Sequence, residues 1–329
     1  MDPVHLVTKE LAFTPYDVKW IPSSSRFCAV GGTGRSTGKI TIFDFNGKIA
    51  SITAETETGT PFRCCTLGAA DMHTRHVATG DFNGGLELWD TQRLELPIET
   101  IMAHESIIHS IDGTGGGTTR ARELVTGSRD GLVKVWDTRQ IQSPVFTVKS
   151  SSADGAKHEV WAVAFGDWQQ SSQRIIAIGY DNGIVRLLDI SAAEFIWETD
   201  LGDGVCSIDF SKKEPKYMVA TTLTGAYVIQ LSTGKSTKLE SPPDTTLWSV
   251  QHTPQTNNNN NDDPFFAITS GDGSINIWDH NNVAKSVGSA SLTNHPTISL
   301  DWHPTKKGLF VCSSFDQTLR IGCIEKLLL

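Results

Sequence analysis

Residues 123–139 read ELVTGSRDGLVKVWDTR, and each part of this stretch favours a β-hairpin. Two runs of apolar and β-branched residues, 124–126 and 132–136, flank the dipeptide Asp130-Gly131. Glycine tolerates the positive φ that tight hairpin turns require, so Asp-Gly between two such runs predicts a turn between paired strands. The stretch therefore predicts two antiparallel strands, the second of which ends at Trp136-Asp137.

The same phrase recurs along the chain, in less regular form. The seven copies are GKITIFD ending at Asp44, GGLELWD at Asp90, GLVKVWD at Asp137, GIVRLLD at Asp189, GAYVIQL at Leu231, GSINIWD at Asp279 and QTLRIGC at Cys323. Their spacings are 46, 47, 52, 42, 48 and 44 residues, close to the period of about 40–45 residues that marks the four-stranded blades of WD-repeat propellers. We therefore expect residues 1–329 to form one all-β domain, a seven-bladed WD40 β-propeller.

The two ends of the chain complement each other in this scheme. The seventh copy stops soon after its third strand, whereas an apolar run at residues 4–8 precedes the first strand of blade 1. We expect this N-terminal run to pair as the outer strand of blade 7, which closes the ring and protects a sheet edge. Residues 114–122 and the Asn-rich residues 257–263 are expected to be solvated insertions in blades 3 and 6.

Blade 3 contains residue types that could form a buried hydrogen-bond set, namely His104, Thr126, Asp130 and Trp136. A His/Asp/Thr cluster also suggests catalysis, but these residues belong to a repeating unit, so we interpret them as structural. Blades 4 and 7 are expected to keep partial sets, His158 with Asn182 and His295 with Asp316.

Composition and motifs exclude several classes of function. The net charge of −9 argues against nucleic-acid binding, which needs a basic surface. The six cysteines match no zinc spacing and suit a reducing compartment. The glycine run at residues 31–35 lacks the Ser or Thr that a phosphate loop needs after Lys39, because Ile40 follows. We expect no cofactor, no metal and no enzyme activity.

No secretion or membrane signal is apparent. The N-terminal MDPVHLVTKE has no apolar signal region, and no apolar run is long enough to cross a bilayer. We expect a soluble intracellular protein, a monomer that binds proteins.

The expected working surface is the face that carries the d–a and b–c loops, where a to d name the strands of a blade from the channel outward. We call it the top face. Two positions per blade should point there: the first exposed residue of strand a, and the residue before the turn Asp. The first ring is Tyr16, Arg63, His109, Trp161, Cys206, Trp248 and Ile298. The second ring is Phe82, Arg129, Asp181, Leu223, Gly271 and Phe315.

These rings are rich in aromatic residues and arginine, which are typical of binding hot spots. We expect Trp161, Trp248, Arg129 and Phe315 to anchor a partner, as an extended peptide or a helix across the central opening. The alternative is that Trp161 and Trp248 only fill the channel between blades.

Over nearly its whole length the chain resembles the Monad family of WD-repeat axonemal dynein assembly factors. The shared segments are YDVKWIP (16–22), ATGDFNGGLELWD (78–90), AHESIIHSIDG (103–113), ELVTGSRDGLVKVWDTRQ (123–140), WAVAFG (161–166), GYDNG (179–183), WETDLGDGVCSIDF (197–210) and SLDWHPTKKGLFVCSSFDQTLRI (299–321). The segments GYDNG, WET…GVCS (197–207) and CSSFDQT are specific, because propeller folding does not demand those residues. The chain departs from the family in the Asn-rich insertion at 257–261 and in the tail EKLLL.

The resemblance implies a non-catalytic scaffold. It implies partners in a prefoldin-like and AAA+ co-chaperone assembly, and a role in the cytoplasmic pre-assembly of axonemal dynein chains for cilia. A different class of function also remains open. The sequence from Trp136 to Arg139, WDTR, fits the WDxR pattern of substrate receptors in cullin-type ubiquitin ligases.

Overall fold

The structure is a computed structural model that describes residues 1–69, 75–114, 122–149, 156–167, 174–211, 216–241, 244–254 and 264–328. Most of the insertion expected at residues 114–122, and all of the Asn-rich run at 257–263, lie outside the described residues.

The chain forms seven four-stranded antiparallel sheets arranged as propeller blades. Blades 1 to 3 contain β2 (Thr14–Trp20), β3 (Arg26–Gly32), β4 (Gly38–Phe45), β5 (Ala50–Thr58); β6 (Phe62–Thr66), β7 (His76–Asp81), β8 (Gly85–Asp90), β9 (Glu99–Met102); β10 (Ile108–Gly113), β11 (Glu123–Ser128), β12 (Leu132–Asp137) and β13 (Phe146–Lys149). Blades 4 and 5 contain β14 (Val160–Asp167), β15 (Arg174–Tyr180), β16 (Ile184–Asp189), β17 (Glu194–Asp200); β18 (Val205–Phe210), β19 (Tyr217–Thr222), β20 (Ala226–Gln230) and β21 (Lys235–Lys238). Blades 6 and 7 contain β22 (Leu247–His252), β23 (Phe265–Ser270), β24 (Ser274–Asp279), β25 (Gly288–Ser291); β26 (Thr297–Trp302), β27 (Leu309–Ser314), β28 (Thr318–Cys323) and β1 (Val4–Glu10).

The N-terminal strand closes the ring. β1 is the outer strand of blade 7 and pairs antiparallel with β28, from Val4 opposite Cys323 to Glu10 opposite Thr318. The predicted closure is therefore confirmed, and the strand extends two residues further than expected. The α-amino group of Met1 donates a hydrogen bond of 2.7 Å to the carbonyl of Val287, so the first residues also contact blade 6.

The hydrophobic core lies between neighbouring blades, because the apolar faces of the sheets pack on one another. At the joint between blades 7 and 1, Trp20, Phe27 and Phe43 share a buried cluster with Leu319 and Ile321. The rings of Phe27 and Phe43 stack with their centroids 5.0 Å apart. The place where the two ends of the chain meet is thus packed as well as hydrogen-bonded.

A short helix, α1 (Glu325–Leu328), follows the last strand and was not predicted. Its Leu327 is 3 % exposed and packs against Phe310 and Ile324 in the cluster between blades 6 and 7. Leu327, in the tail that departs from the family pattern, is therefore part of the core.

Candidate protein-binding face

Each blade carries a β-bulge near the start of strand a, where the pairing with strand b skips one residue. A bulge leaves one residue without a partner across the ladder and redirects its side chain. The skipped residues are Tyr16, Arg63, His109, Trp161, Cys206, Trp248 and Ile298. They are the seven residues that the sequence assigned to the first ring of the top face.

All seven bulge residues line the central channel, a cavity of about 320 Å³. Each is half-buried, which leaves part of its side chain open to the channel mouth. The strand ladders do not constrain these side chains, since no residue lies opposite them. The bulges therefore form a ring of variable side chains on a constant backbone.

The second ring lies directly above the first. In six blades, the second-ring residue donates a hydrogen bond from its backbone N–H. The acceptor is a backbone carbonyl of the same blade, two residues before the bulge. The pairs are Phe82 to Pro61, Arg129 to Ile107, Asp181 to Glu159, Leu223 to Gly204, Gly271 to Thr246 and Phe315 to Pro296, at 2.8–3.1 Å. These hydrogen bonds fix each b–c turn beside its bulge, so the two rings form one surface.

One part of this surface is a continuous row of aromatic rings, which we call the aromatic arc: Phe82, Tyr16, Phe315 and Trp248. Tyr16 contacts Phe82 with ring centroids 5.4 Å apart and Phe315 at 6.3 Å. Phe315 in turn contacts Trp248 at 6.1 Å. The arc runs from blade 2 through blades 1 and 7 to blade 6. Phe82 and Phe315 remain 37 % and 40 % exposed, which is a large apolar area to leave in water.

The opposite part of the surface is polar and centres on Glu159, a residue that the sequence did not single out. Glu159 accepts a hydrogen bond of 2.8 Å from Arg129 Nε and one of 3.1 Å from Trp161 Nε1. Its carboxylate also lies 3.4 Å from His109 Nε2. Burial opposes ionisation, but the hydrogen bonds from Trp161 and Arg129 outweigh it and lower the pKa of Glu159. We call Arg129, Glu159, His109 and Trp161 the polar cluster.

Of the four expected anchors, the structure therefore brings Trp248 and Phe315 together in the aromatic arc, and Trp161 and Arg129 together in the polar cluster. Trp161 also packs over Gly204 of blade 5, where an added Cβ would lie 2.5 Å from the indole ring. The indole N–H of Trp248 is buried and has no hydrogen-bond partner in the described chain. A binding role for these residues stays a prediction.

Below the two rings, side chains of strand a connect the blades to one another. The sequence S-[I/L]-D follows the bulge in blades 3, 5 and 7, at residues 110–112, 207–209 and 299–301. Each Ser accepts a hydrogen bond from the next blade: from Val163 to Ser110 at 3.1 Å, from Val250 to Ser207 at 3.4 Å and from Val18 to Ser299 at 3.3 Å. Each Asp does the same: from Phe165 to Asp112 at 2.8 Å, from His252 to Asp209 at 2.6 Å and from Trp20 to Asp301 at 2.7 Å. These bonds hold the channel wall rigid.

The repeated S-[I/L]-D sequence was not predicted to have a role, although its recurrence at the same place in three blades was a signal. Glu159 had a weaker signal, since it lies two residues before a predicted ring position and next to His158.

The four residues of the blade 3 set are joined by hydrogen bonds. His104 Nδ1 lies 2.9 Å from Asp130 Oδ2, and His104 Nε2 lies 2.8 Å from Thr126 Oγ1. Trp136 Nε1 donates to the same Thr126 hydroxyl at 3.0 Å. Although burial acts in the opposite direction, the hydrogen bond and charge of His104 lower the pKa of Asp130 to about 2. All four residues are buried, which favours a structural role.

For the partial sets in blades 4 and 7, the expected partners are wrong. His158 Nδ1 lies 3.3 Å from Asp181, the neighbour of the expected Asn182, whose side chain caps the turn by accepting from Ile184 N–H. Asp316 forms an ion pair with Arg320 at 2.6 Å rather than with His295. In blade 4 the contact is made by Asp181, which is next to the expected Asn182. In blade 7 it is made by Arg320, which lies on strand c of the same blade.

Comparison with known proteins agrees with this architecture. The family model described as WD domain, G-beta repeat matches residues 96–137 and 238–279. The chain is 38 % identical to the protein named dynein axonemal assembly factor 10 of Xenopus laevis, over 98 % of this chain and 96 % of the relative. It is 36 % identical to the Homo sapiens protein of the same name over the same shares. Identity to the Chlamydomonas reinhardtii protein of that name is 33 %, over 97 % and 95 %.

The chain belongs to the dynein axonemal assembly factor 10 family. The family resemblance found in the sequence is thereby confirmed. The two matched repeats correspond to the third and sixth copies, whereas the structure has seven blades. The copies that depart most from the WD phrase, such as the one ending at Leu231, therefore fold as blades in this family member.

Arg139, which gave rise to the WDxR hypothesis, points away from the top face at the c–d end of blade 3. It forms a bidentate ion pair with Asp137 of the same motif, with its Nη2 2.6 Å from Oδ2. Its side chain is 67 % exposed. The ion pair with Asp137, at the end of strand c, therefore accounts for Arg139 without a partner protein.

Two further observations concern other classes of site. Among the residues described, no three His, Cys, Asp or Glu side chains are grouped so that they could hold a metal ion. Within the same residues, no helix has the length and apolar character needed to cross a bilayer.

Proposed function

We propose that this chain is a non-catalytic scaffold for the cytoplasmic pre-assembly of axonemal dynein arms, and that residues 1–329 act as one domain that binds protein partners on its top face. The relatives are named axonemal dynein assembly factors and share nearly the whole chain. The partners we infer are a prefoldin-like and AAA+ co-chaperone assembly and axonemal dynein chains.

The observation that carries the proposal is the pair of rings on the top face. Seven bulges direct side chains into one channel mouth, and the aromatic arc leaves large apolar rings partly exposed beside it. Exposed aromatic side chains beside arginine are typical of protein-binding hot spots. No such accumulation is needed to stabilise the blades, whose cores lie between the sheets.

The experiment is affinity purification of the tagged protein from ciliated cells, with the wild type compared with the double variant Arg129→Ala, Phe315→Ala. We expect recovery of dynein chains and of the AAA+ assembly with the wild type. Recovery with the variant should fall by well over tenfold, because hot-spot losses reach about 2 kcal/mol or more each.

The melting temperature of the double variant should change little, because both side chains extend from turns and Arg129 is 62 % exposed. Arg139→Ala removes an exposed arginine at the opposite face and is the matched control. Normal recovery with the top-face variant, together with loss on changing the a–b and c–d loops, would refute the assignment of the face.

The ubiquitin-ligase alternative is tested by the same purification. It predicts a cullin-linked adaptor among the recovered proteins, and its loss in Arg139→Ala. Because Arg139 is engaged with Asp137, we favour the dynein-assembly proposal.

A further inference from the structure

At the channel mouth, most of the charged side chains contact one another or backbone groups. Arg63 and Arg129 carry two guanidinium groups, and Glu159 is paired with Arg129 at 2.8 Å. Burial and then the charge of Arg63 lower the pKa of His109 to about 4, so its imidazole is neutral at neutral pH. Asp181, the acidic residue of the second ring, lies 3.3 Å from His158. Asp203, whose charge acts on Cys206 as that of Arg63 does, accepts a hydrogen bond of 2.8 Å from Gly204 N–H. One guanidinium there forms no ion pair in the described residues.

That guanidinium belongs to Arg63. In the described part of the chain it makes no ion pair and no side-chain hydrogen bond, although it is half-buried at a bulge and lines the channel. Its charge acts on His109 in blade 3 and on Cys206 in blade 5, across the channel, whose pKa burial nevertheless raises to about 12. The guanidinium therefore lines the channel within electrostatic range of side chains in blades 3 and 5.

Carboxylates deeper in the channel are engaged by other groups. Asp17 is paired with Lys19 at 2.7 Å and also accepts a hydrogen bond from the backbone N–H of Cys65 at 2.9 Å. Asp112 accepts a hydrogen bond from the backbone N–H of Phe165 at 2.8 Å. These groups connect neighbouring blades and are held in place by those bonds.

Blade 2 brings this charge next to the aromatic arc. It supplies both Arg63 and Phe82, and the ring of Phe82 contacts Tyr16. Arg63 thus lies where the arc meets the polar cluster. A ligand that places a negative charge beside a large apolar group would satisfy both surfaces.

We propose that Arg63, assisted by Arg129, binds the carboxylate of an Asp or Glu side chain in an extended segment of a protein partner, and that a neighbouring apolar side chain of that segment packs on the aromatic arc. The inference rests on the proposed function, because it assigns the chemistry of the partner that the top face recognises. Arginine suits carboxylates through two parallel hydrogen bonds. The chain as a whole carries a net charge of −9, so an acidic segment would be repelled elsewhere and selected for this position.

The test is a selection of random displayed peptides on the purified full chain, followed by a double-mutant cycle on the best binder. The cycle combines Arg63→Gln in the protein with the change of the acidic peptide residue to its amide. We expect enriched peptides to carry Asp or Glu next to an aromatic or aliphatic residue. We also expect a coupling of at least tenfold in Kd, about 1.4 kcal/mol.

Arg139→Gln is the matched control, since it removes the same charge from an exposed arginine at the opposite face. Arg63→Lys, which keeps the charge without the two-pronged geometry, should retain part of the coupling and guards against a folding defect in Arg63→Gln. Enrichment of peptides without acidic residues, no enrichment at all, or a coupling no larger than with Arg139→Gln would overturn the proposal.

Failure of this inference is distinguishable from failure of the proposed function. Dynein chains recovered with the wild type, without coupling at Arg63, would leave the scaffold role standing and remove the carboxylate site. Strong coupling, without dynein chains in the purification, would establish the site and remove the dynein role.

Discussion

Ser299 Oγ of blade 7 donates a hydrogen bond of 2.6 Å to Asp17 Oδ1 of blade 1, across the joint where the two ends of the chain meet. The same carboxylate is paired with Lys19 of its own strand and accepts a hydrogen bond from Cys65 N–H of blade 2. Although burial acts against it, Asp17 and Asp301 raise the pKa of Lys19. Asp17 thus connects three consecutive blades at the point where the ring closes.

Asp17→Ala should therefore destabilise the fold strongly. Breaking a buried ion pair by removing one partner costs about 3–5 kcal/mol, and the variant also leaves the Cys65 N–H without its acceptor. We expect a clearly lower urea midpoint in equilibrium unfolding. Asp44→Ala, which removes a more exposed acceptor from the same blade, is the control and should cost far less. Equal losses for both variants would contradict this role for Asp17.

Deletion of residues 1–10 should open the ring. It removes β1 and exposes the ladder edge of β28, whose backbone groups would lose their partners. We expect aggregation or a marked fall in melting temperature. A shorter deletion, residues 1–3, removes the contacts of Met1 and Asp2 with blade 6 but keeps β1, and should have a small effect. A protein without residues 1–10 that melts like the full chain would refute closure by this strand.

Asp130→Ala should leave His104 without its partner in a buried site, at a cost of about 1–3 kcal/mol. The loss should depend on pH. The pKa of Asp130 is lowered to about 2. Its contribution to the free energy of unfolding is therefore complete above the ordinary carboxyl pKa of about 4, and it disappears as the pH falls toward 2. Urea unfolding of wild type and variant at pH 6 and pH 3 measures both effects. A stability difference that grows at low pH, or loss of partner binding without loss of stability, would argue against a structural role.

Glu87→Gln is predicted to stabilise the protein at alkaline pH. Burial, followed by the charge of Asp81, raises the pKa of Glu87 to about 7, and its Oε2 atom has no hydrogen-bond partner in the described residues. A raised carboxyl pKa costs stability as the pH rises from about 4 through 7, because the folded state then loses a proton it held more tightly. We expect a gain of about 1–2 kcal/mol at pH 8, after allowance for partial exposure, and almost none at pH 4. Thermal melts at the two pH values provide the measurement, and a gain independent of pH would contradict it.

The sequence predicted the architecture because WD blades are defined by local patterns. In blade 3 the hairpin around Asp130-Gly131 has strands within one or two residues of the expected positions. The closing strand followed from an unpaired run at one end and a missing strand at the other. Even blade 5, which lacks the WD phrase, was recovered from the spacing alone.

The places of the ring residues were predicted from the sequence, but the contacts between them were not. The ring residues followed from repeat geometry, and the bulges explain why those positions point into the channel. The division into an aromatic arc and a polar cluster depends on contacts between blades, such as Tyr16 with Phe315 and Arg129 with Glu159. Residues so far apart in the chain meet only in the closed ring. The helix at Glu325–Leu328 was missed for a related reason, since it forms outside the repeat, where Leu327 finds a gap between two blades.

The pairing of β1 with β28 also sets an order in time. Residues 4–10 are synthesised long before residues 318–323, so the strand must wait for nearly the whole chain before its partner exists. In that interval the other blades can form while the ring stays open, with unpaired strand edges exposed to other nascent proteins. Local folding cannot shorten the interval before β1 pairs with β28, because this contact joins the two most distant strands of the chain. Every molecule of this chain therefore passes through a period with unpaired strand edges before its ring closes.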